Sequence, residues 1–149
     1  MDSRLETLLH IRKVNSYLLS FAKEIMDRAA VHDDSKLYWP EVEYFDKYTP
    51  ILNGLSYGSP EYKESLAKLK PALDHHYANN THHPEHYKNG INGMDLFDLV
   101  ELLADWKASS HRQNDGNLIC SLVKNKEKYG ISDQLFEILE NTVERYLRK

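Results

Sequence analysis

A single cysteine, Cys120, stands among the 149 residues, and that scarcity removes two classes of protein at once. One thiol forms neither an internal disulfide nor a thiolate zinc cage, so disulfide-stapled folds and sulfur-rich metal sites are excluded. Between Leu118, Ile119, Leu122 and Val123, Cys120 is expected to be a small buried hydrophobe rather than a nucleophile. Long apolar runs are missing as well: no stretch approaches the roughly 20 residues of a membrane span. The opening Met1-Asp2-Ser3-Arg4-Leu5-Glu6 places charges where a signal peptide needs an apolar run. There is no basic excess either; the formal net charge is -4, which disfavours a long nucleic acid as partner. Strict alternation over the length of a strand, internal repeats and linker-like tracts are all absent. These absences predict one domain over residues 1–149, cytoplasmic and off the membrane, with homo-oligomerisation left open.

What is there is helical periodicity. Leu5, Leu8, Ile11, Val14, Leu18, Phe21 and Ile25 recur at three- and four-residue steps, predicting a long helix from 3 to about 30, with Ser3 and Glu6 as a capping box. Asp34 or Ser35 is expected to cap a second helix, entered near Pro40 and carrying Val42, Tyr44, Phe45, Tyr48, Ile51 and Leu52. A third is predicted over 60–79, with Pro71 as a candidate kink. After a loop from Asn80 to Gly93 comes a strong helix from Met94 to about Ser110, with Leu96, Leu99, Val100, Leu102, Leu103 and Trp106 facing inward. Asn114-Asp115-Gly116 reads as a turn, and two helices close the chain at about 117–129 and 132–147, with Gly130 as a stop and Ser132 or Asp133 as a cap. The expected fold is an all-α, single-domain helical bundle of about five to seven helices.

Histidine is abundant and unevenly placed. Five of the eight, His75, His76, His82, His83 and His86, fall within residues 75–86. Neutral imidazole is the commonest ligand of borderline transition metals, and a packed core tolerates such a cluster only if every ring finds a partner. Three further segments stand out: His10 on the first helix, His32-Asp33 at its far end, and Asp105 on the strong helix, with Glu101 one turn earlier and Asp98 three residues before that. The bland readings are a polar loop with incidental histidines, a helix-capping Asp33 and a solvated acidic face.

In this order the residues resemble the HD phosphohydrolase superfamily, whose pattern is an early His, a His-Asp doublet and a distant Asp around a divalent metal. The whole chain also resembles a small family of phage and bacterial proteins through His32 to Lys36, the stretch His76 to Tyr87, and the acidic helix Met94 to Trp106. The HD resemblance implies His10 as the early His, His32 and Asp33 as the doublet, and Asp105 as the closing ligand. It further implies His76, His82 and His83 as the extra ligands of two-metal members. It implies one or two divalent ions (Mn, Fe, Zn, Co, Ni or Mg) and metal-assisted hydrolysis of a phosphorylated small molecule, a nucleotide or nucleotide-derived signal. Many HD nucleotidases carry an acid three places after the doublet's Asp, and Lys36 stands there instead, so it is expected to bind substrate phosphate. Glu85 and Glu101, beside Asp33, are then the catalytic candidates, and Lys107 and Arg112 are further cations for developing phosphoryl charge. Two rival classes are a binding module whose metal is structural and a protein–protein effector on a helical scaffold.

Overall fold

The computed structural model describes residues 3–56, 59–110 and 118–147. Within them are seven α-helices and no strand: α1 (Arg4–Val31), α2 (Glu41–Asn53), α3 (Pro60–Lys68), α4 (Lys70–Asn79), α5 (Leu96–Ser110), α6 (Leu118–Tyr129) and α7 (Asp133–Thr142). The fold is all-α. No described helix is long and apolar enough to cross a membrane.

Two units make up the chain, the first ending at His32 and the second beginning at Asp33. The first is α1, a 28-residue helix with the predicted span, none of whose residues is buried. Its expected capping box is not formed: the Ser3 side chain makes no cap bond. Arg28 pairs with Glu24 at 3.0 Å and Lys23 with Asp27, both at the i,i+4 spacing that brings side chains together on a helix surface.

The second unit begins with a 3-10 turn, Asp34–Leu37. Asp33 occupies its cap position, one place before the residues expected there, with φ of 60°, the only described non-glycine residue at positive φ. Aspartate tolerates that left-handed backbone better than most residues. The predicted third helix is two helices. Pro71 has no N–H, and its ring would collide with the carbonyl four residues back, so α3 stops at Lys68 and α4 restarts through Leu69.

Leu102, Leu103, Leu118, Leu122, Ile131, Leu139 and Val143 form the main core, joined by Ile91 from the loop before α5. Ser132 caps α7 by accepting from the Leu135 amide at 3.3 Å, and Gly130 takes the φ of 62° that ends α6. The turn expected at Asn114-Asp115-Gly116 lies outside the described residues.

Two expectations about inward faces are corrected. Cys120 is exposed, because α6 buries Leu118 and Leu122, one turn apart, and Cys120 lies between them on the other side. On α5, Leu96 and Val100 are also exposed, whereas Asp98 is buried and Glu101 and Asp105 are half-buried. The acidic face of α5 therefore turns inward. Asp98 and Asp95 make a reciprocal helix start: Asp95 Oδ1 accepts from the Asp98 amide (2.9 Å) and Asp98 Oδ2 from the Asp95 amide (3.0 Å). Tyr87 adds its hydroxyl to Asp98 Oδ2 at 2.6 Å.

Candidate metal centre

Four segments of the second unit bring polar side chains to one place. The left-handed turn at residue 33 presents the Asp33 carboxylate, α4 supplies His76 one turn from its end, the following loop supplies His82 and His83, and α5 supplies Glu101 and Asp105. His76 and His82 are buried, at 1% exposure each. Asp33, His76, His82 and His83 each offer a ligand atom, all within 4.8 Å of one another.

The separations are those of atoms sharing a cation. His76 Nε2 is 3.1 Å from Asp33 Oδ1 and 2.9 Å from His83 Nε2, and His82 Nε2 is 3.5 Å from Asp33 Oδ1. Ligands about 2.1 Å from a common ion stand roughly 3.0 Å apart at right angles and roughly 3.4 Å apart in a tetrahedron. The donor set fits a divalent metal.

Two of these rings are each held from behind by a carboxylate. His76 Nδ1 lies 2.9 Å from Glu41 Oε2, and His82 Nδ1 lies 3.1 Å from Glu101 Oε1. A carboxylate oxygen only accepts, so each Nδ1 must carry the proton. In a neutral ring Nε2 is then a bare lone pair. Such a lone pair against the Asp33 oxygen is repulsive unless a proton or a cation lies between them.

Electrostatics agree. Burial opposes ionisation of Asp33, but the His76 and His82 rings at Oδ1, when a shared proton or cation lies between, and the Lys36 ammonium at Oδ2 overcome it and hold the carboxyl far below its usual range. Burial first, then His82, His76 and Lys36, pushes His83 down to about 3, which keeps its ring neutral and able to ligate at pH 7. Lys36 Nζ sits 2.5 Å from Asp33 Oδ2, the oxygen that faces away from the histidines.

Of the expected site residues, the fold gathers Asp33, His76, His82 and His83 into one cluster. It adds Glu101 behind His82 and places an Asp105 oxygen within 4.8 Å of one on Asp33. Glu85 is elsewhere, accepting from the Tyr129 hydroxyl at 3.0 Å with Lys128 3.4 Å away. Lys107 is on α5 and forms no ion pair with a described residue. His10 is exposed on α1 and His32 ends that helix; both belong to the first unit. Arg112 lies outside the described residues.

Glu41, Ser35 and Asn80 were not among the expected site residues, and His75, though part of the histidine cluster, was not among the expected ligands. Asn80 donates to Ser35 Oγ (2.9 Å), Ser35 donates to Glu41 Oε2 (3.1 Å), and His75 Nδ1 meets Glu41 Oε1 (2.7 Å). A signal for Glu41 did exist. Residues 41, 45, 48 and 52 share one helix face, so a carboxylate begins the Phe45, Tyr48, Leu52 stripe.

Fold and site together define an all-α protein with a buried cluster of histidines and carboxylates that can hold a metal ion. A family model for a family of unknown function (DUF5662) matches residues 1–145, and the chain belongs to that family. No curated protein and no solved structure matches it.

Proposed function

We propose that this protein is a metal-dependent phosphohydrolase of the HD type, acting on a small phosphorylated molecule of the nucleotide class. The observation that carries this reading is the convergence of three imidazoles and Asp33 on one point, with the Lys36 ammonium on the outer oxygen of the same carboxylate. Three nitrogens and one oxygen favour a borderline transition metal (Mn, Fe, Co, Ni or Zn) over Mg, which prefers oxygen. A divalent ion held there supplies Lewis acidity toward a phosphoryl oxygen and brings its water's pKa toward neutrality.

The chain's own groups do the rest. His76, His82 and His83 hold, and Asp33 both holds and neutralises. Lys36 reaches the centre from the side opposite the histidines, where a cation offsets phosphoryl charge. Glu101 is engaged by His82 and Glu85 by Tyr129, so Asp105 is the carboxylate best placed to take a proton from the attacking water. On the sequence pattern His32 and His10 also belong to the ligand set, and substitution of each by Ala, with the bound metal counted, tests that.

The function test is elemental analysis of untagged protein, followed by a phosphate-release screen over nucleotides with each metal added back. Turnover that disappears in Asp33→Asn supports the reading. Phosphate release surviving that substitution, or no release with any metal and any nucleotide, sinks it.

A further inference from the structure

Glu41 is wholly buried, at 0% exposure, yet it carries no substrate-facing role in the scheme above. Its two oxygens receive three donors: His75 Nδ1 at 2.7 Å on Oε1, and His76 Nδ1 at 2.9 Å and the Ser35 hydroxyl at 3.1 Å on Oε2. A carboxylate is expensive to bury, and cheaper groups would fill the start of an amphipathic helix. Something in the site needs an acceptor at that point.

We propose that Glu41 is the positioning residue of the metal centre. By holding the Nδ1 proton of His76 it fixes the ring as the tautomer whose Nε2 lone pair points at Asp33 and His83. The proposal rests on the metal reading above and extends it to a residue outside the ligand shell. Three details support it. His76 Nε2 is the central atom of the cluster, facing both Asp33 Oδ1 and His83 Nε2. Without a fixed tautomer, the ring could put its proton on Nε2, facing inward, and block that position. Asn80 then completes the brace, with its amide donating to the His76 carbonyl at 2.8 Å and to Ser35 Oγ at 2.9 Å. His75, adjacent in sequence and only half-buried, shares the same carboxylate from the other side and anchors it without entering the cluster.

Two measurements test this. In long-range proton–nitrogen correlation spectra of the metal-free wild type near pH 7, His76 is expected as the Nδ1–H tautomer. Finding the Nε2–H tautomer overturns the proposal, whatever the protein does with metals or nucleotides. The second compares Co(II) dissociation constants for wild type and Glu41→Gln, together with the visible Co(II) spectrum. The glutamine keeps the volume but cannot accept from both histidines with one oxygen. Loss of a carboxylate behind a ligating histidine weakens binding about 10–100-fold. That loss is expected here, with an altered ligand-field spectrum and an unchanged far-ultraviolet circular dichroism spectrum. Binding within about twofold of wild type, with the same spectrum, overturns it. If wild type binds no Co(II), the metal reading itself has failed, and the tautomer still decides the role of Glu41. If Glu41→Gln does not fold, the tautomer likewise decides.

Discussion

Replacing Asp33 by Asn isolates one charge from everything else at the centre. Asparagine accepts the backbone φ of 60° about as readily as aspartate, whereas alanine would add strain there. Side-chain volume is retained, and only the negative oxygen 3.1 Å from His76 Nε2 and 3.5 Å from His82 Nε2 is lost. In the metal-free protein this relieves a carboxylate facing two lone pairs, because the new amide can donate to one of them. The metal-free Tm is therefore expected to stay level or rise. With metal the sign reverses. A ligand present at 100 times its Kd stabilises the folded state by about 2.7 kcal/mol. At roughly 2–4 °C per kcal/mol for a chain of this size, wild-type Tm should climb by about 5–11 °C. Losing a direct ligand should weaken binding at least as much as losing an outer carboxylate, on the order of 100-fold. At the same metal concentration the increment then shrinks to about 0.4 kcal/mol, or roughly 1–2 °C. Differential scanning calorimetry with and without Zn, Mn or Co reads both numbers. Equal metal increments in the two proteins would refute the assignment of Asp33 as a ligand.

Three more predictions concern the scaffold and its titration. A Cβ at Gly93 would come within 2.7 Å of Tyr87 Cβ and collide with Asn89 Oδ1, so Gly93→Ala should cost about 1–3 kcal/mol, read as a lower urea midpoint. Ser132→Ala removes the acceptor for the Leu135 amide and should cost about 1 kcal/mol at the start of α7; an unchanged midpoint would show that water replaces the cap. His83 titrates near 6.5 when unfolded and at about 3 when folded, so between those values the unfolded chain binds more protons. Stability of the metal-free protein should therefore fall as pH drops from 6.5 toward 4, with a slope of at most about 1.4 kcal/mol per pH unit from this ring. Urea melts of His83→Gln should lack that component; an identical pH slope in the variant would show that the ring titrates normally.

Helix positions were legible because an amphipathic helix repeats its apolar residues at three- and four-residue steps. That rhythm survives at α1 and α5, where the predicted spans match to within two residues. It failed where a local covalent constraint outweighed it. Pro71 divided a continuous pattern into α3 and α4, and the exposed side of α5 carried Leu96 and Val100 as apolar as its core. The helical rhythm says which residues share a face. It does not say which of two apolar flanks wins when an acidic stripe lies between them. On α5 the acidic stripe decided the matter, since Asp98 and Glu101 each meet partners in the loop, Tyr87 and His82.

The residues of the candidate metal centre were visible for a different reason. Imidazole is rare enough that five within residues 75–86 demand an explanation, and Asp33 gains meaning once those rings need a counter-charge. Glutamate is common on helices, and Glu41 at the first position of α2 looks like any acid placed against a helix dipole. What separates it is position within the stripe: it opens the face of Phe45, Tyr48 and Leu52, where a solvated acid has no place. Ligands announce themselves by residue type, whereas the groups that orient them are found by asking which polar side chains occupy apolar positions. Applied to α5, the same question selects Glu101, one turn before Asp105, and there too the fold supplies a histidine to donate to it.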